Sequence, residues 1–143
     1  MAGKGQAYFQ TVNYLANITT GTTIAGSPTH CGGCAFASFQ IIGLGTGAGG
    51  SGAGGGQGNI IIQGTLGMPA VGSSTWVAVS VTNLNNNQLV GAIVADSIYT
   101  LSTNQGPQAA HLLYVRPFVT TLSNVENGRL DVTGMIESQT SSW

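Results

Sequence analysis

The stretch Trp76-Val-Ala-Val-Ser-Val-Thr82 decides how this chain is read. Valines at 77, 79 and 81 alternate with Trp76, Ala78 and Ser80, the two-residue period of a half-buried β-strand. The same chemistry recurs on either side. Residues 8–15, 35–42, 59–66, 89–95, 97–102, 112–121 and 129–136 are short runs rich in β-branched and aromatic side chains. Gly, Asn and Pro clusters separate them. Only residues 105–113 suggest a helical turn, and no segment has the 3.6-residue period and caps of a longer helix. Evenly spaced short strands between turn signals predict an all-β protein, an antiparallel β-sandwich of jelly-roll-like type.

Local pairings are expected on the same grounds. Residues 114–122 and 129–137 flank Ser123-Asn-Val-Glu-Asn-Gly128, whose Asn-Gly supplies the positive-φ position of a hairpin loop. Val115, Phe118 and Val119 cannot share one face, so Pro117 is expected to mark an irregularity or a sheet edge. Asn85-Asn-Asn87 reads as a turn. Residues 43–58 contain ten glycines in sixteen positions and are expected to form a long flexible loop. Their flanks, Ile41-Ile42 and Ile60-Ile61-Ile62, read as two strands of one hairpin. The organisation predicted is an N-terminal arm, residues 1–7, and one domain, residues 8–143.

With 143 residues, one domain is the natural size. Charged residues are 5% of the chain and the net charge is −1, where a soluble domain usually carries about 25% charged residues. Nucleic-acid binding lacks its basic footprint, and polybasic membrane attachment is excluded likewise. Hydrophobic residues reach 42%, which excludes charged intrinsic disorder. So few charges imply an exterior of hydroxyl, amide and apolar groups that works covered by other copies or another protein. The start, Met1-Ala-Gly-Lys-Gly-Gln6, has no apolar leader core, so synthesis in the producing cytoplasm without export is expected.

The chemistry-bearing residues are few. Gly45-Thr-Gly-Ala-Gly-Gly50 fits a dinucleotide fingerprint, but the glycines run on to Gly58 and no helix-forming residues follow. The sole lysine, Lys4, excludes a P-loop. His30-Cys31-Gly-Gly-Cys34 has the spacing of half a zinc site or a redox pair. The chain holds only two Cys and two His, so a four-ligand site would need His111 as well, or two chains sharing a metal. Loop cysteines are the simpler reading, and neither metal nor cofactor is expected. Asp96, Glu126, Asp131 and Glu137 are the only carboxylates, and their separations match no catalytic motif. With no nucleophile elbow either, the chain is expected not to be an enzyme. Asn17-Ile-Thr19 is a glycosylation sequon that matters only on a secretory route. Trp76 is expected in the core. Trp143, a terminal indole after a polar run, is expected to dock on a neighbouring subunit. Gly43 and Gly58, which bound the glycine tract, are expected at an interface with it.

Two stretches together carry a resemblance. Ile60-Ile-Ile-Gln-Gly-Thr-Leu66 followed by Ser73-Ser-Thr-Trp-Val-Ala-Val-Ser-Val81, and Tyr114-Val-Arg-Pro-Phe-Val-Thr-Thr-Leu122 with Asn127-Gly-Arg-Leu-Asp-Val-Thr-Gly134, resemble small β-sandwich proteins of tailed bacteriophage virions. The likeness covers residues 59–82 and 112–136. Similar patterns occur in jelly-roll and discoidin-like sugar-binding modules. The glycine tract departs from the pattern, which has a short turn there. The resemblance implies a capsid decoration or cement protein on the outer capsid surface of the virion, often a homotrimer, with the major capsid protein or other virion proteins as partners. It equally implies attachment at neck, tail or fibre. No catalytic residue carries over. The rival readings are a carbohydrate- or receptor-binding module, marked by an exposed aromatic pair, and a secreted structural domain.

Overall fold

A computed structural model of the chain describes residues 6–18, 21–30, 36–44, 57–65, 76–102, 114–123 and 130–140. These residues form antiparallel strands in two sheets: β1 (Gln6–Ile18), β2 (Gly21–Ala25), β3 (Thr29–His30), β4 (Phe36–Ile42), β5 (Gln57–Thr65), β6 (Val77–Val79), β7 (Val81–Asn83), β8 (Gln88–Val90), β9 (Ser97–Ser102), β10 (Tyr114–Ser123) and β11 (Leu130–Thr140). The first sheet has the order β1-β11-β4-β9-β7-β8, and the second has β2-β10-β5-β6 with β3 also on β10. The pairings are nested. β1 pairs with β11, β2 with β10, β4 with β9 and β5 with β6, as if one long hairpin had been rolled up. That is a jelly roll, with the β7–β8 hairpin added at one edge of the first sheet. β1 takes in Gln6 and Ala7, which the sequence assigns to the arm.

Nesting corrects two expected hairpins. β4 and β5 lie in different sheets, so the glycine tract is a crossover from one sheet to the other and not a hairpin loop. β10 and β11 are likewise in opposite sheets. The alternation that made these segments look like adjacent partners is real, but it reports only that each has one buried face. Partner choice is set by the whole roll. The expected helical turn at 105–113 lies outside the described residues.

Between the sheets sits one core, led by Phe39, Ile41, Leu44, Ile60, Ile62, Leu101 and Ile136, each under 3% exposed. Removing a side chain such as Phe39 from it would cost about 3–5 kcal/mol. Two bulges adjust which residues reach this core. In β1, Asn13 pairs with Thr133 and Leu15 with Val132, leaving Tyr14 as an extra residue. Tyr14 and Leu15 are therefore both buried. The Tyr14 ring lies 5.9 Å from that of Phe39 and rests on Gly134, where any Cβ would collide with it. In β10, Thr120 is the extra residue against β5. Val115, Pro117 and Val119 point inward before it and Leu122 after it, so Phe118 faces out. Beside this bulge Thr23 adopts φ 56°, a left-handed conformation that strains a β-branched residue.

Pro117 does mark an irregularity, but not an edge. β10 lies between β2 and β5. Its neighbour on one side is split into β2 and β3 by residues 26–28, and the Pro117 carbonyl accepts a hydrogen bond there from the Gly26 amide (2.9 Å). The position where proline lacks a donor therefore coincides with a gap in the partner strand. The expected turn at Asn85-Asn-Asn87 is present: residues 84–87 join β7 to β8, with Asn87 at φ 59° and its amide bonded to the Asn83 carbonyl at 2.7 Å.

Gly134→Val should destabilise the protein by about 1–3 kcal/mol through overpacking against Tyr14, read as a lower denaturant midpoint. Tyr99, whose hydroxyl donates to the Ala95 carbonyl at 2.7 Å, has its pKa raised above 10.0 by burial first and by the nearby Asp96 charge as well. Folding thus favours its protonated form. The stability this contributes is present below pH 10 and falls as pH rises from there through the folded-state pKa. Urea titrations across that alkaline window should show the fall, and Tyr99→Phe should flatten it.

Candidate functional site

The stretch from Trp76 to Thr82 leads to the site. It is not one strand. β6 belongs to the second sheet and β7 to the first, so the chain changes sheets at Ser80. Val79 and Val81 are buried on either side of the corner, while Val77 is 50% exposed. Trp76 precedes β6 on the outward side and is half-buried rather than in the core, a correction to the sequence reading. The indole is covered instead by a cation. The Arg116 guanidinium carbon lies 4.0 Å from the centre of the Trp76 ring and 5.6 Å from that of Phe118.

Arg116 stands in the middle of β10, opposite Gln63 of β5. Its Nε donates to Gln63 Oε1 at 2.8 Å, the one hydrogen bond the guanidinium makes among the described residues. Burial lowers its pKa from the ordinary arginine value, though the group stays charged at any physiological pH. Two residues away on the same face is Tyr114, whose ring meets that of His30 edge-on at 5.2 Å. The outer face of the second sheet thus carries a ridge of His30, Tyr114, Arg116, Trp76 and Phe118. A cation held between rings contributes about 0.5–2 kcal/mol. It also fixes the orientation of a planar donor fork.

The outer face of the first sheet is different. Ile42, Leu89, Ile98 and Met135 are all outward and 42–56% exposed. Thr133, Ser38, Gln40 and Thr100 lie among them by register. Asp131 and Glu137 are the charged residues that the register of β11 places there.

The sequence candidates fall in several places. His30 is exposed and belongs to the ridge. Cys31, Cys34, His111 and Trp143 lie outside the described residues, which contain no cluster of three or more potential metal ligands. Gly43 is buried at φ 127°, a conformation that suits only glycine. It turns the chain so that Leu44, fully buried, can plug the core. The Leu44 amide donates to Asp96 Oδ1 at 2.7 Å. Gly58, at the far end of the tract, is half-buried, and a Cβ there would come within 2.5 Å of Leu44 Cδ2. The tract's two ends are therefore fastened to each other inside the fold. Asp96, one of the four possible catalytic carboxylates, serves here as a backbone clasp. Arg116 was the residue missed. Its signal was a lone charge inside an apolar strand, which must find a stacking or hydrogen-bonding partner.

No helix among the described residues is long and apolar enough to cross a membrane. No family model matches the sequence, and no curated protein matches it. Among solved structures, the SPBc2 prophage-derived protein YomS is similar, with a TM-score of 0.64 at 16% identity over 93% of this chain and 96% of that one. The PBSX exported protein XepA is similar with a TM-score of 0.66 at 9% identity, over 92% of this chain and 38% of that one. This chain thus corresponds to well under half of XepA. At such identities the likeness is one of fold. Asp96→Ala should leave the Leu44 amide unpaired and cost about 1–3 kcal/mol, measurable as a drop in thermal midpoint.

Proposed function

We propose that the chain is a structural protein of a tailed bacteriophage virion, a decoration or cement protein that packs on the outer capsid and stabilises the head. The observation that carries this reading is the outer face of the first sheet, where Ile42, Leu89, Ile98 and Met135 lie exposed among hydroxyls and amides, with Asp131 and Glu137 the charged residues that register places there. A surface of that kind is stabilised when another protein covers it. The fold likeness to a prophage-derived protein and to a PBSX exported protein supports the phage setting. The resemblance of residues 59–82 and 112–136 to virion sandwiches supports the same setting. In this reading the protein is not an enzyme, works as a homotrimer and has the major capsid protein as partner. The second sheet then faces away from the head. Its aromatic ridge favours a second reading, a carbohydrate- or receptor-binding module of a tail, fibre or head spike.

Particles lacking the protein should release their genome at lower temperature than complete particles, and adding the purified chain back should restore them. The double variant Leu89→Lys, Ile98→Lys should bind particles weakly while melting as the wild type does. Equal genome release with and without the protein would reject the cementing role.

A further inference from the structure

We infer that the outer face of the second sheet binds an acidic glycan, a sugar polymer carrying carboxylate or phosphate groups, with Arg116 as the anion-binding residue. This deepens the second reading above and rests on it. Arg116 is the one arginine or lysine described on a face whose other residues include His30, Tyr114, Phe118, Trp76, Gln63, Ile61 and Ala78. Its Nε is committed to Gln63, and its flat face to Trp76. Those two contacts leave the edge formed by the two Nη groups as the unoccupied donor pair among the described residues. That edge can grip a carboxylate or phosphate with two parallel hydrogen bonds.

Three features favour an anion over a neutral ligand. The guanidinium is charged and partly desolvated, so it attracts an anion more strongly than a fully hydrated cation would. No carboxylate among the described residues is paired with it. The stack on Trp76 and the Gln63 bond hold the fork in place before binding, so less side-chain freedom is lost when it engages. A sugar is favoured over a bare anion by the rings on the same strand. Tyr114 and Phe118 flank Arg116 at two-residue spacing on the outward face. Successive rings along a strand offer apolar surfaces for the C–H faces of consecutive sugar units, with a polar group between them to fix orientation.

Calorimetric titration of the full chain with oligogalacturonate, with glycerol-phosphate oligomers and with neutral maltohexaose tests this. At least one acidic polymer should bind, more weakly as salt is raised, and maltohexaose should bind far less. The two acidic arms distinguish carboxylate from phosphate. Arg116→Gln should weaken binding about 10- to 100-fold, the range for losing a charge-assisted pair of hydrogen bonds. Arg116→Lys should lose most of that affinity too, because it keeps the charge without the fork. Gln63→Leu leaves the arginine in place but releases its Nε, and should weaken binding severalfold with an unchanged melting curve. Maltohexaose binding as tightly as the acids would overturn the assignment while leaving the glycan reading standing. Arg116→Gln and Gln63→Leu both binding as wild type would do the same. No binding in any arm would remove the glycan reading as well. Poly-glutamate binding as tightly as the sugars would overturn the assignment in favour of an acidic peptide.

Discussion

The structure depends on how the chain passes from one sheet to the other without leaving strands unpaired. At Ser80 the backbone turns from β6 into β7, and β5 loses its neighbour beyond the short β6. Ile93 repairs the loss. It exchanges two backbone hydrogen bonds with Ile60, at 2.7 and 3.0 Å, across the place β6 has vacated. Both isoleucines are buried at 1% exposure or less, so an unmade pair there would strand polar groups in the core. The corner, the bridge and the β7–β8 hairpin that carries the chain back to Ile93 form one device.

Similar economy governs the glycine tract. Its composition suggests a segment with nothing to hold it, yet its ends are fastened. Gly43 supplies a backbone angle closed to other residues, Leu44 fills the core, Asp96 clasps the Leu44 amide, and Gly58 leaves room for the Leu44 side chain. With both ends held, the crossover between sheets has fixed anchor points whatever path lies between them.

The strands themselves were legible because β-branched alternation is a local property. Residues 35–42, 59–66 and 97–102 lie within two residues of β4, β5 and β9 at either end. Partners were not legible. Nested pairing joins segments far apart, and nothing in Ile41-Ile42 says that its neighbours are Val132 and Ser97 rather than Ile60. β2 was missed because Gly21-Thr-Thr-Ile-Ala25 is short, half polar and bent at Thr23. Of the ridge, the rings were visible but their meeting was not. Trp76 looked like core because it opened an apolar strand, but it shares the parity of Ala78, opposite to the buried Val79, and so faces outward. The partners of Arg116, Trp76 and Gln63, lie on other segments of the chain, and nothing local to residues 114–122 names them.

Among the described residues the longest ladder joins β1 to β11, with Gln6 opposite Thr140 and Ile18 opposite Leu130. During synthesis the early strand therefore emerges from the ribosome long before its mate exists, exposing an unmated 13-residue edge in the meantime. Topologies dominated by such distant contacts fold slowly, because chain closure must precede any gain from pairing. In a crowded cell making many copies at once, that waiting edge is also a site where one nascent chain can borrow the last strand of another.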